Sequence, residues 1–233
     1  MKTHKTEKPL PKFSIDLSQP FLYENQFYLG AGVERLSKFA AQMELYRKTL
    51  TVPGDLVECG VYKGASLMRF IKFRAIVENA KSRKIIGCDT FGDFPQAQLK
   101  GDIDIRERFL SDGGSQSISQ DLLLELLKQQ GLNTNVQIVA GDVAKTLPDL
   151  LKKSPHLRIS LLHVDVDMQE PTELCLKYLG PRVVPGGVII FDDFNKWDGA
   201  GRAIDAYLSK KGWLIKRLPY CSAVSYVDVP VNK

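Results

Sequence analysis

Acidic residues mark the ends of five short apolar runs in this chain of 233 residues. Glu58 stands near the end of the first run, and the next four are followed by Asp89, by Asp142, by Asp165 and Asp167, and by Asp192 and Asp193. If the runs are parallel strands, their carboxyl ends meet at one edge of a sheet, which is where open α/β sheets bind ligands. We therefore expect these carboxylates to lie close together.

The carboxylates after the last two runs predict a metal site. Asp142 alone is equally well explained as a helix N-cap, a position that aspartate favours. Asp165, Asp167, Asp192 and Asp193 at the tips of adjacent strands would repel one another unless a positive charge lay among them. Oxygen ligands of this kind suit a hard divalent cation. The residues do not decide between Mg²⁺ and Mn²⁺.

A glycine turn follows the first run, with Gly60 and Gly64 separated by three residues. A dinucleotide-binding turn has the pattern GxGxxG, which is not met here and counts against a nicotinamide-dependent oxidoreductase. A simpler explanation for Gly60 taken alone is that it permits a tight bend between a strand and a helix. With Glu58 before it and Asp89 about 30 residues later, the turn instead indicates a nucleoside-containing cofactor.

The residues after the second and third runs fit such a cofactor. Asp89 is placed to accept hydrogen bonds from both ribose hydroxyls, and Asp142 could accept one from an adenine amino group. Phe91 could lie against the adenine ring or fill the core. His163 lies inside an apolar run, two residues before Asp165. We interpret it as a buried structural histidine rather than a catalytic one.

Alternating strands and helices must position these residues. The predicted strands are 55–59, 84–88, 136–140, 158–164, 188–191, 213–217 and 223–227. The predicted helices are 32–50, 65–80, 119–130, 144–153, 172–179 and 199–211. This order predicts an α/β fold, a Rossmann-like doubly wound sheet of seven strands, mostly parallel, with helices on both faces and an antiparallel C-terminal edge.

Composition places the chain among ordinary globular domains, with 44% apolar and 25% charged residues and a net charge of +5. Residues 1–20 are interpreted as a loosely held arm, and residues 21–233 as one domain. Residues 94–114 show no clear period, and we interpret them as an insertion over the strand ends that could act as a lid.

The remaining composition bears on location. No apolar run approaches the roughly 20 residues that span a bilayer, and no signal peptide is recognisable, so a cytoplasmic protein without a membrane partner is expected. The cysteines Cys59, Cys88, Cys175 and Cys221 are scattered without a CxxC pair and are expected to be reduced and core-filling. The sequence leaves a homo-oligomer open.

Four motifs resemble one known family. They are VPGDLVECGVYKG at 52–64, DTFGDFP at 89–95, HVDVD at 163–167 with EPT at 170–172, and PGGVIIFDDF at 185–194. Their order and spacing are similar to those of the macrocin O-methyltransferase (TylF-like) family, with the match running from about residue 34 to about residue 208. The resemblance implies an S-adenosylmethionine- and divalent-metal-dependent O-methyltransferase, acting on a hydroxyl of a small molecule, expected to be a sugar of a natural product or glycoconjugate.

The resemblance also implies roles for individual residues. Glu58, Gly60 and Ser66 would surround the methionine part of the cofactor, Asp89 would hold the ribose, and Asp142 and Val143 would lie near adenine. Asp165 would be both metal ligand and general base. The other predicted metal ligands are Asp192 and Asp193, and the predicted cofactor-binding set is completed by Tyr62, Gly64, Thr90, Phe91 and Asp165.

Departures from the family pattern leave alternatives open. Met168-Gln169 stands where the family usually has Leu-Tyr, and Ala65 where a second glycine is common. A catechol-type phenol remains an alternative acceptor, because the metal logic would be the same. A nucleic-acid methyltransferase or non-catalytic Rossmann-like module would need a clustered basic face, whereas the basic residues here are dispersed, so no nucleic-acid partner is expected.

Overall fold

A computed structural model describes residues 15–96 and 100–231. Most of the proposed N-terminal arm lies outside these residues. One seven-stranded sheet has the order β3-β2-β1-β4-β5-β7-β6. Its strands are β1 (Asp55–Cys59), β2 (Ile85–Asp89), β3 (Val136–Ala140), β4 (Ile159–Val164), β5 (Val183–Phe191), β6 (Lys216–Arg217) and β7 (Ser225–Asp228). The pairs among β1 to β5 are parallel, whereas β7 is antiparallel to both β5 and β6. This confirms the predicted fold class.

Eight α-helices of the described residues connect or flank the strands. They are α1 (Pro20–Gly30), α2 (Val33–Lys48), α3 (Ala65–Val77), α4 (Lys100–Gly113), α5 (Gln120–Gln129), α6 (Val143–Lys153), α7 (Gln169–Leu179) and α8 (Asp198–Lys211). The sequence did not predict α1 or α4. None of the helices among the described residues combines the length and the apolar character that crossing a membrane requires.

Neighbouring residues of a strand point to opposite faces of the sheet. Helices pack against both faces and bury these side chains. Leu56 of β1 joins a core formed with α2, α3 and α5, whereas the next residue, Val57, joins a second core formed with α6, α7 and α8. Helices on both sides are the arrangement that parallel strands require. All four cysteines are free and buried, as the sequence predicted.

The strand order reverses between β1 and β4, which are neighbours in the sheet although β2 and β3 lie between them in the chain. Connections from these two strands leave the sheet in opposite directions, and a crevice opens at their carboxyl ends. The acidic strand ends predicted from the sequence are therefore placed around this point.

Candidate functional site

A cleft of about 620 Å³ opens at the carboxyl edge beside this crossover. That volume lies within the range of small-molecule and cofactor sites. Its wall includes most of the predicted cofactor-binding residues: Gly60, Tyr62, Asp89, Thr90, Asp142 and Val143. Asp165 and Asp167 also line it. The structure therefore brings the glycine turn and the acidic strand ends to one cavity.

Six predicted site residues do not form part of the cleft wall: the metal-ligand candidates Asp192 and Asp193, and four of the predicted cofactor-binding residues. Glu58 is fully buried in the sheet beneath it. Gly64 and Ser66 lie at the start of α3, with Gly64 as its N-cap. Phe91 packs against the core on the α3 side, which agrees with the core-filling interpretation.

The turn after β1 passes so close to β4 that only glycine fits at its first position. Gly60 has φ 91°, and a Cβ there would overlap the carbonyl oxygen of Asp165. Tyr62 also adopts a left-handed conformation, with φ 48°, which is uncommon for a bulky residue. The surrounding contacts must hold this turn in place.

Asp89 provides those contacts. Its Oδ2 accepts hydrogen bonds from the backbone N–H groups of Val61 and Tyr62, at 2.8 and 2.9 Å. Its Oδ1 accepts from the N–H of Phe91 at 2.7 Å and from the hydroxyl of Ser117 at 3.0 Å. A residue predicted only as a ribose ligand is thus also the anchor of the glycine turn.

Asp142 is the N-cap of α6. Its Oδ1 accepts a hydrogen bond from the backbone N–H of Ala144 at 2.9 Å, so the N-cap interpretation is confirmed. The residue still lines the cleft, with Val143 beside it as the first residue of the helix. Capping and ligand binding are compatible because the carboxylate has a second oxygen.

The acidic strand ends form two overlapping groups. Asp165, Asp167 and Asp193 each present an oxygen within 4.8 Å of the others, and so do Asp165 and Asp192 together with the ring of His163. Asp193 is 3% exposed, and its Oδ2 accepts the N–H of Asp167 at 2.8 Å. These oxygens fit a hard divalent ion in type and spacing.

Crowding raises the proton affinity of this cluster. Burial, together with the charges of the neighbouring carboxylates, holds the pKa values of Asp167 and Asp193 well above the ordinary range for aspartate. Burial and Asp192 likewise raise the pKa of Asp165, although Lys38 opposes them. A cation among these carboxylates would relieve the repulsion. The close spacing of the carboxylate oxygens is the observation that supports a metal here.

Asp192 differs from its neighbours because basic groups surround it. The ammonium of Lys38, on α2, lies 2.7 Å from Oδ1 and 2.8 Å from Oδ2. Lys196 lies 3.0 Å from Oδ2, and His163 Nε2 lies 3.9 Å from Oδ1. Burial raises the pKa of Asp192, but these charges, led by Lys38, outweigh it and hold that pKa below its usual range.

Lys38 was missed by the sequence analysis. It belongs to a helix that precedes the first strand, and it is separated from Asp192 by 154 positions. Its side chain is only 14% exposed. Burial lowers its pKa, but the charges of Asp165 and Asp192 outweigh that and raise it, so it is a permanent cation at the site.

A buried ion pair supports the site from below. His163 Nδ1 lies 2.8 Å from Glu58 Oε1, and both residues are fully buried. Burial lowers the pKa of His163, but Asp192 and Glu58 beside the ring outweigh it and raise the value to about 9. His163 is therefore a buried structural cation, consistent with the structural interpretation.

Helix α4 lies where the sequence predicted an aperiodic insertion. Phe109 and Leu110 of α4 pack against an aromatic cluster that contains Phe94, Met168 and Trp197. Asp102, near the start of α4, is 1% exposed and lines the cleft. The sequence pattern did not indicate this helix, and the interpretation of residues 94–114 as a lid insertion stays a prediction.

Comparison with known families agrees with this arrangement. The model of the macrocin O-methyltransferase (TylF) family matches residues 25–216. The chain belongs to this family. The match includes α2, and with it Lys38, as well as every strand end that faces the cleft.

Curated relatives in this family modify natural products. A demethyldecarbamoylnovobiocin O-methyltransferase of Streptomyces niveus is 31% identical over 163 residues, which cover 68% of this chain. An 8-demethyl-8-(2,3-dimethoxy-α-L-rhamnosyl)-tetracenomycin-C 4′-O-methyltransferase of Streptomyces olivaceus is 28% identical over 163 residues, 69% of this chain. In both cases the match spans 60% of the relative's own length.

A solved structure of a calicheamicin methyltransferase is similar over most of the chain. It has a TM-score of 0.74 and 27% identity, with 88% of this chain and 83% of that chain covered. The O-methyltransferase NovP shares the fold, with a TM-score of 0.69 and 21% identity over 84% of this chain and 80% of its own.

Proposed function

We propose that this protein is an S-adenosylmethionine- and divalent-metal-dependent O-methyltransferase that acts on a hydroxyl of a small molecule, a sugar of a natural product or glycoconjugate. The observation that carries the proposal is a cleft lined both by the glycine turn of the macrocin O-methyltransferase family and by Asp165 and Asp167, two members of a crowded set of aspartates. Family membership supports the transfer chemistry, and the two relatives described above support the acceptor class.

The wall of the cleft supports a small-molecule acceptor over a nucleic acid. Among the described residues that form this wall, the acidic ones include Asp89, Asp102, Asp167 and Glu170, and none is lysine or arginine. A phosphate backbone would need basic partners there, whereas the positively charged sulfonium of S-adenosylmethionine suits an acidic wall.

In this proposal the cofactor lies along the turn after β1. Gly60 lets the backbone approach the ligand closely, because it has no side chain to intervene. Asp142 and Val143 lie near adenine and Asp89 holds the ribose, for which it exchanges part of the four hydrogen bonds that it accepts from the protein. Fixing the acceptor oxygen in line with the methyl carbon and the sulfur contributes up to ~7–11 kcal/mol to catalysis.

The acceptor hydroxyl is activated at the other end of the cleft. Asp165 accepts its proton as a positioned general base at the wall of the cleft. The predicted ligands Asp165, Asp192 and Asp193 would hold the divalent ion. Asp165 belongs to both groups of closely spaced ligand atoms, whereas Asp193 belongs to the group with Asp167 and Asp192 to the group with His163. When bound, the ion supplies Lewis-acid activation and orientation of the acceptor oxygen.

A methyl-transfer assay tests this function. Labelled S-adenosylmethionine is offered with a panel of deoxysugar glycosides and catechols, with Mg²⁺ and with excess EDTA. We expect transfer to a glycoside that EDTA suppresses and that added Mg²⁺ restores. Transfer to catechols alone would move the acceptor class to phenols, and full turnover in EDTA would remove the metal from the proposal.

Two substitutions locate the chemistry. Asp165→Asn is expected to lower turnover at least ~100-fold, because a positioned base alone contributes about 10²–10⁴-fold. Asp193→Asn is expected to lower turnover by a similar factor, because it removes a proposed ligand of the ion that activates the acceptor oxygen. Neither should lower the melting temperature, since each removes one of several mutually repelling carboxylates. Asp205→Asn, on the exposed side of α8, is the matched control and should retain wild-type turnover.

A further inference from the structure

Lys38 occupies the carboxylates that the proposed metal would use. Its ammonium contacts both oxygens of Asp192, at 2.7 and 2.8 Å, and lies 3.8 Å from Oδ2 of Asp165. Asp165 and Asp192 are two of the three proposed ligands. The lysine is therefore a cation that the protein itself delivers to the metal-binding side of the cluster.

The contacts divide the cluster into two unequal halves. Lys38 and Lys196 both contact Asp192, whereas no lysine, arginine or histidine among the described residues forms an ion pair with Asp167 or Asp193. Oδ2 of Asp192 accepts a hydrogen bond from the Lys38 ammonium at 2.8 Å. If that oxygen also approached Mg²⁺ to the roughly 2.0–2.1 Å that coordination requires, the two cations would face each other directly.

We infer that Lys38 is an internal competitor of the divalent ion, which sets the cation affinity of the cluster and withdraws from Asp192 when the metal binds. The inference rests on the metal-dependent form of the proposed function. It adds a residue of α2 that controls metal loading.

Helix α2 is held in place by contacts that do not involve Lys38. Ala41, Leu45 and Tyr46 on the same helix are fully buried in the core, and Gln42 accepts a hydrogen bond from Arg69 of α3 at 2.5 Å. The docking of α2 therefore has apolar and polar components that do not involve Lys38. A substitution at Lys38 changes the charge at Asp192 while the helix remains packed.

Mn²⁺ binding measured by calorimetry on the purified protein tests the inference. Lys38→Met keeps the apolar stem and removes the charge, so we expect Mn²⁺ to bind at least about tenfold more tightly, because a unit charge a few ångströms away carries several kcal/mol at an effective dielectric constant near 20. Lys38→Arg keeps the charge and should bind close to wild type. Lys48→Met is the matched control, because Lys48 lies on the same helix as Lys38 but pairs with Asp228 of β7; it should leave the affinity unchanged.

Amine labelling followed by mass spectrometry provides a second test. If Lys38 had a purely structural role, metal binding would not change its labelling rate. Without metal, Lys38 is shielded and ion-paired, and its labelling should be slow. Saturating Mn²⁺ should increase the labelling of Lys38 and leave Lys48 as it was.

Other outcomes overturn the inference. Equal or weaker Mn²⁺ binding by Lys38→Met would show that the lysine orients Asp192 for the metal or is irrelevant to it. Absence of Mn²⁺ binding in every variant would also refute competition. The methyl-transfer assay with and without EDTA stands apart from these measurements, so the proposed function is judged separately.

Discussion

The site carboxylates could be predicted from the sequence, because a residue that directly follows a parallel strand lies at the carboxyl edge of the sheet. Their partners could not, because partners are set by the packing of distant segments. The contact of Asp192 with Lys38 joins positions 154 residues apart, and no local pattern identifies it. Asp89 shows the same limit, since the backbone N–H groups that donate to its carboxylate are placed by the path of the turn that it stabilises.

Gly60 and Gly64 differ in what they tolerate, although both have positive φ. A Cβ at Gly60 would overlap the carbonyl of Asp165, whereas one at Gly64 would meet Leu123 at an ordinary 3.6 Å. Gly64→Ala should therefore cost only the ~1–2 kcal/mol of a left-handed alanine, and Gly60→Ala clearly more, because β1 and β4 must move apart. Urea unfolding of the two variants measures the difference, and equal midpoints would contradict the close approach.

Elements with a clear hydrophobic period were predicted well, and β1 and β3 have the predicted bounds. Helix α1 was missed because none of its residues is buried, so burial imposes no period on it. Strand β5 begins at Val183 rather than Val188, since Pro185 and the two glycines after it are residues that a sequence rule assigns to a turn. Strand β6 is shorter than predicted, with two residues.

Helix α4 was missed because charged residues cover most of its surface and leave only a narrow apolar side. That side includes Phe109, whose ring lies 5.1 Å from Tyr62 and 5.1 Å from Phe94. Phe109→Ala should loosen α4 and raise the KM for the cofactor, because Tyr62 and Phe94 line the cleft. Ile103→Ala, at a 40% exposed position of the same helix, should do neither.

Hydrogen exchange over residues 100–113 is the measurement for this prediction. Exchange that is faster in Phe109→Ala than in Ile103→Ala is expected. Identical exchange in the two variants would show that the aromatic cluster does not hold the helix over the cleft, and the segment would lose its proposed role as a lid.

The C-terminal edge is joined to α2 by Asp228 of β7. It pairs with Lys48 at 2.5 Å and with Lys216 at 2.9 Å. Burial raises the pKa of Asp228, but the two lysines outweigh it and lower the pKa below its ordinary value. Its contribution to stability is therefore present above the unfolded-state pKa of about 3.9 and is lost as the pH falls through the lower folded-state value.

Asp228→Asn should accordingly lower the melting temperature at pH 7 and have no effect near pH 2. The loss should be a few degrees at most, since partly exposed ion pairs contribute ~0.2–1 kcal/mol. It should shrink in 1 M NaCl because salt screens exposed charges. Thermal melts across pH 2–8 measure it, with Asp205→Asn as the control; a deficit that persists at pH 2 would assign another role to the side chain.

The molecule as a whole combines a sheet packed between helices with a cluster of mutually repelling carboxylates. The chain carries a net charge of +5, yet its cleft gathers carboxylates whose mutual repulsion opposes folding. The alternation of strands and helices predicts that they gather at one edge, because the carboxyl ends of parallel strands share it; the crossover between β1 and β4 is known only from the structure. It does not predict how far the protein's own lysines offset the repulsion, which depends on side-chain geometry.

Metal binding should therefore stabilise the folded protein as a whole. A ligand that binds only the native state at 100 times its Kd adds about 2.7 kcal/mol, which for a protein of this size corresponds to a rise of roughly 5–10 °C in melting temperature. We expect that rise with Mg²⁺ or Mn²⁺, its reversal by EDTA, and its loss in Asp193→Asn, while Asp205→Asn keeps it. Calorimetric melts at low ionic strength measure it. A melting temperature indifferent to both ions in the wild-type protein would mean that Lys38, Lys196 and His163 already supply the positive charge that the cluster needs.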